Sequence, residues 1–103
     1  MLKKGMVKKR IVVSDFDASQ YLRDEADMAS YLSAVLEEND PALLAAAIGD
    51  IAKAKGMSRL AKETGMSRTS LYKSLSADGN PELGTVMNVM RHFGIKLTAR
   101  VEK

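Results

Sequence analysis

The stretch MSRLAKETGMSRTSLYKSLS, Met57 to Ser76, restricts the fold more than any other part of this 103-residue chain. Its apolar residues recur at helical spacing, but Gly65 divides the run into two pieces too short to be stable helices alone. Two short helices joined through so few residues must cross steeply. Close approach needs a small side chain, which Ala61 supplies, and the reversal needs a positive φ, which Gly65 tolerates. Leu60, Met66 and Leu71 are then expected to lock the pair onto a core. Ser67 is placed to cap the second helix. The segment after Ser67 should stand out from its supporting bundle, with Arg68, Thr69, Tyr72 and Lys73 opposite Leu71 and Leu75.

The rest of the chain reads as support for that pair. Asp17 with Gln20 marks a short helix, Ala18 to Leu22. Asp24 can cap a helix over Glu25 to Glu38, with Met28, Ala29, Tyr31, Leu32, Val35 and Leu36 on its apolar face. Asp40-Pro41 is a start signal, because aspartate accepts orphan amides and proline at the first helical position loses no donor. Leu43, Leu44, Ala47, Ile48, Ile51 and Ala52 form the stripe that follows, up to Gly56. Helices over Ser58 to Thr64 and Arg68 to Leu75 come next, then a turn at Ala77-Asp78-Gly79. Asn80-Pro81 repeats the cap-plus-proline device and is expected to open Glu82 to Phe93, with Leu83, Val86, Met87, Met90 and Phe93 facing one way. Arg10 to Ser14 and Ile95 to Val101 read as short strands that could pair in cis or across a dimer. The expected architecture is mainly all-α: one helical domain over 10–103, with five to six helices and short terminal strands, preceded by a flexible basic leader over 1–9.

Charge is unevenly distributed. Residues 1–10 hold five cations and no acid, residues 11–50 one cation against nine acids, and residues 51–103 ten cations against four acids. The basic C-terminal part suits a polyanion and the acidic part a basic partner, or simply solvated helix faces. There is no cysteine, which removes disulfides, thiolate metal sites and cysteine nucleophiles. No apolar run approaches the roughly 20 residues that span a bilayer, so a reducing cytoplasm is the expected setting. Enzymatic chemistry finds no support. Glu37 and Glu38 are adjacent and diverge on a helix, and the single histidine, His92, lies late in a helix where packing or the helix dipole accounts for it. No cofactor or metal is expected.

The Met57–Ser76 pattern resembles the helix-turn-helix of the phage repressor and Cro class, with Leu60-Ala61, Gly65-Met66-Ser67 and Leu71 matching. The later apolar anchor is displaced from the position of Ser74 to Leu75. The resemblance implies a lambda-repressor-like bundle whose second helix enters the major groove of double-stranded DNA. Arg68 is then placed to read guanine and Thr69 a thymine methyl, with Tyr72 and Lys73 on the same face. Ser58, Arg59, Ser67 and Ser70 suit the phosphate backbone.

A wider resemblance covers Asp15 to Thr98. Phe16-Asp17, Tyr21-Leu22, Leu36-Glu37-Glu38, Asp40-Pro41-Ala42-Leu43, Gly49-Asp50-Ile51-Ala52, Gly56-Met57-Ser58, Leu71-Tyr72-Lys73 and Gly79-Asn80-Pro81 are similar to the addiction-module antidote proteins. These are small repressor-like antitoxins related to the host-inhibition-of-growth antidotes. Membership implies a protein that represses its own operon and neutralises a cognate toxin, typically a small basic RNase, and a homodimer is the expected form on a palindromic operator. The acidic residues Asp24, Glu25, Asp27, Glu37 and Glu38 are the expected toxin-binding set. Two alternatives use the same scaffold: a stand-alone phage-type repressor, and a helical protein-interaction module that does not bind DNA.

Overall fold

The computed structural model describes residues 22–102, which form five helices and no strand. They are α1 (Glu25–Leu36), α2 (Pro41–Lys55), α3 (Met57–Thr64), α4 (Arg68–Ser74) and α5 (Leu83–Phe93). The expected helix Ala18 to Leu22, the Arg10 to Ser14 strand and the leader over 1–9 fall wholly or almost wholly outside the described residues.

Three of the five helix starts, those of α1, α2 and α4, follow side chains that satisfy free amides. The Asp24 carboxylate accepts from the Asp27 amide, and Asp40 accepts from the amides of Ala42 and Leu43 at 3.1 and 3.2 Å with Pro41 at the first helical position. α1 stops at Leu36, two residues before the expected end. Glu38 and Asn39 donate back to Val35 and Leu36, and Asn39 turns to φ 54. Asparagine adopts this left-handed conformation more readily than most residues. Gly56, at φ 104, both terminates α2 and precedes α3: its amide donates to Ala52 while its carbonyl accepts from Leu60. α5 ends on Gly94 at φ 79, where the Ile95 amide reaches back five residues to the Met90 carbonyl.

α2 lies at the centre, in contact with α1, α3 and α4, while α5 packs on α3. The buried cluster is aliphatic around one aromatic ring: Phe93, Ile48, Ile51, Leu71, Val35 and Val89 are its largest fully buried members. At one place backbone meets backbone. A Cβ on Gly49 would fall on the Leu75 carbonyl oxygen, so α2 can carry no side chain where the end of α4 crosses it. Between α1 and α2, the Tyr31 hydroxyl donates to Asp50 Oδ2 at 2.8 Å. Burial and the Asp50 charge both push the Tyr31 phenol above its ordinary range, burial being the larger cause.

Three expectations need correction. Asn80-Pro81 does not open α5. Asn80 lies at φ 48, Pro81 continues the loop, and the helix begins at Leu83 behind Glu82, which makes no side-chain cap bond. The loop is drawn tightly over the end of α4, since a Cβ on Gly79 would strike the carbonyls of Ser74 and Lys73. The buried face of α5 is Val86, Val89, Met90 and Phe93, whereas Leu83 and Met87 are 70% and 56% exposed. The expected strand Ile95 to Val101 forms no ladder among the described residues. It runs beside α1 and leaves an open groove of about 830 Å³, lined in part by Leu32, Leu36, Ile95, Leu97 and Val101.

Gly49→Ala should lower stability by about 1–3 kcal/mol or more, because a backbone carbonyl cannot rotate away as a side chain does. A melting temperature equal to the wild type's would refute the close approach. Tyr31 has a raised folded pKa, so its contribution is present below the ordinary tyrosine pKa of about 10 and fades as pH climbs above it. Tyr31→Phe should therefore flatten the alkaline limb of a denaturation profile above about pH 10, and an unchanged limb would remove this group as the cause.

Candidate nucleic-acid interface

α3 and α4 are joined by Gly65, Met66 and Ser67. Gly65 sits at φ 78 and its amide donates to Ala61, so the chain reverses there as the sequence leads one to expect. Thr64 reinforces the turn: its hydroxyl donates to the Leu60 carbonyl at 2.8 Å, and its oxygen accepts from the Met66 amide at 3.3 Å. Ser67 caps α4 by accepting from the Ser70 amide at 3.0 Å, while its hydroxyl lies 3.0 Å from Ser70 Oγ. With Ser67 committed to the cap, the Ser70 hydroxyl is the better outward donor of the two.

α4 is seven residues long and is held by its apolar side. Leu71 is fully buried and Leu75, just beyond the helix, is 4% exposed. Displacing the second anchor from position 74 to 75 does not unseat the helix. Leu75 leaves helical geometry at φ −95, ψ 55, and this brings its side chain into the core and its carbonyl against Gly49.

Ser58, Arg59, Ser67, Arg68, Thr69, Ser70, Tyr72 and Lys73 are all exposed. Thr69, Tyr72 and Lys73 occupy the side of α4 away from Leu71, and Arg68, one turn before Leu71, is exposed at the start of the helix. The Arg68 guanidinium lies 5.7 Å from the Tyr72 ring centroid, one turn on, so the tyrosine steadies the arginine by cation–π attraction. Arg59 is less available: its Nε pairs with Glu63 at 3.0 Å. Lys62, absent from the expected contact set, is also exposed, one turn beyond Ser58, and has no ion-pair partner among the described residues. The i, i+4 spacing from Ser58 was the available signal. Within 57–76 there are four cations and one acid.

The expected toxin-binding acids do not form one patch. Asp24, Glu25 and Asp27 stand at the start of α1 and Glu37 and Glu38 just past its end, separated by roughly 18 Å of helix. Several already have internal partners: Asp24 caps α1, Asp27 accepts from Arg23, and Glu25 lies 3.7 Å from Lys55. His92 is half-buried, with Nδ1 2.9 Å from the Asn88 carbonyl, so that nitrogen carries the proton. Among the described residues, no group of three metal-ligating side chains occurs and no helix is long and apolar enough to cross a membrane.

Ser67→Ala should cost about 1 kcal/mol and fray the start of α4. Faster amide exchange at residues 68–70, with α2 unaffected and Ser67→Asp close to wild type, is the expected pattern. Equal exchange in the alanine variant would show that the cap is dispensable.

Comparison with known proteins places the chain in a family. An uncharacterized protein of Haemophilus influenzae is 42% identical over 84 residues, which cover 82% of this chain and 87% of the relative. No solved structure matches. Residues 12–101, nearly the whole chain, match the family described as "Probable addiction module antidote protein". The chain belongs to this family of addiction-module antidotes, the antitoxin members of toxin–antitoxin systems.

Proposed function

We propose that the protein is a DNA-binding antitoxin that represses its own operon and neutralises a cognate toxin. In this reading Met57–Ser76 is a helix-turn-helix of the phage repressor and Cro type within a lambda-repressor-like bundle. α4 enters the major groove of a palindromic operator, and a homodimer presents two such helices about one DNA turn, roughly 34 Å, apart. The observation that carries the reading is the short helix α4 itself. Its apolar residues are buried, both its ends are fixed, and its exposed side offers Arg68, Thr69, Tyr72 and Lys73 together.

The residues divide by role. Arg68, steadied by Tyr72, donates to guanine, and Thr69 contacts a thymine methyl. Ser58, Ser70, Lys62 and Lys73 neutralise or hydrogen-bond phosphate, while Ser67 acts chiefly through the cap and Arg59 only on leaving Glu63. The toxin is a small basic RNase, drawn to one or both of the acidic ends of α1. Charge complementarity of this kind speeds association more than it deepens affinity. The protein and its toxin act in the cytoplasm, and the antitoxin itself catalyses nothing.

Fluorescence anisotropy with the duplex upstream of its own gene tests the DNA-binding role. Arg68→Ala should weaken operator binding by about 5- to 150-fold, the equivalent of 1–3 kcal/mol, and relax base preference. Lys73→Ala should weaken all duplexes alike and reduce the salt slope by about one. An Arg68→Ala protein that binds every duplex as the wild type does would sink the assignment of α4. Co-purification with the product of the adjacent gene tests the toxin separately.

A further inference from the structure

We propose that the outward side of α5 is the surface through which two copies of this chain pair, antiparallel, about a two-fold axis near Met87. Leu83 and Met87, one turn apart, are 70% and 56% exposed, a costly placement for two large apolar side chains that share a stripe. Gly84 lies beside them. It has no positive φ, and a Cβ there would meet nothing within 4 Å, so neither backbone geometry nor packing among the described residues calls for glycine. Glycine in a helix loses stability relative to alanine, and it is useful where a second backbone must come close.

The charges on α5 select a second copy as the occupant. Glu82 stands before the first residue of α5 and Arg91 two residues before its end, both exposed, and neither has an ion-pair partner among the described residues. An antiparallel pair centred near Met87 brings Glu82 of each copy toward Arg91 of the other, because both positions lie four to five residues from the axis. A two-fold interface must be self-complementary in this sense. The apolar patch is small beside the roughly 1,200 Å² or more that a stable interface buries, so the pairing is weak in free solution. Two half-sites on one duplex would strengthen it through effective concentration. That last use rests on the proposed DNA-binding role, whereas the interface does not.

Sedimentation of the full chain over roughly 1–300 µM should show a reversible monomer–dimer equilibrium. Leu83→Glu/Met87→Glu should weaken it at least about 100-fold with the helical circular dichroism intact, since both side chains already face solvent. Gly84→Ala is the sharper variant: it should raise the melting temperature and weaken the dimer. Glu82→Arg and Arg91→Glu should each weaken the dimer by about two- to tenfold, and the double exchange should restore it. A wild type that stays monomeric throughout, a Leu83→Glu/Met87→Glu protein that dimerises as before, or a double exchange without rescue would each overturn the interface. Dimer loss in a protein whose wild type binds no duplex would retain the interface and discard the DNA-binding role. Duplex binding without self-association would do the reverse.

Discussion

The contact of the Gly49 backbone with the Leu75 carbonyl decides where α4 can lie. A side chain at 49 would hold the end of α4 away from α2 by at least a methyl group. Leu71 and Leu75 would then be lifted from the core that they now share with Ile48 and Ile51. The polar face of α4 is exposed because its apolar face is drawn inward at this point. A seven-residue helix has little stability of its own. It persists because Ser67 and the left-handed Gly65 fix one end while the Gly49 crossing and the tight Gly79 turn fix the other.

Charge plays two roles in the molecule, and the linear sequence does not separate them. The nine acids of residues 11–50 suggest a polyanionic face. In three dimensions Asp24 and Asp40 satisfy helix amides, and Asp50 accepts from Tyr31 across a helix interface. The negative charge of these three is spent largely on local structure. The basic residues of α4 serve no such purpose: Arg68 leans on Tyr72 and Lys73 extends into solvent. Uncommitted charge, more than net charge, distinguishes the face suited to a ligand.

Features governed by neighbouring residues could be read directly. Asp24, Asp40-Pro41 and Ser67 as caps, Gly56, Gly65 and Gly94 as helix ends, and the exposure of Arg68, Thr69, Tyr72 and Lys73 around a buried Leu71 all follow from chemistry within one or two turns. Features that depend on distant chain could not. Nothing near Gly49 in sequence reveals that Leu75 arrives there, and Leu83 and Met87 fit an apolar period as well as Val89 does. Only the packing of α5 on α3 selects Val86, Val89, Met90 and Phe93 as its buried side. Asn80-Pro81 misled because asparagine, which can cap a helix, also adopts the left-handed conformation of a turn. The stretch Ile95 to Val101 alternates like a strand, but a ladder requires a second edge, and none lies beside it among the described residues.

Gly56 ends one helix and begins the next with no residue to spare. A joint of zero length has no slack in which an insertion could be absorbed. One added residue would rotate everything downstream by about 100° about the α3 axis and turn Met57 and Leu60 out of the core. A length change at the α2–α3 junction would therefore dislodge α3 from the core. The orientation of α3 against α2 is set by this single elbow.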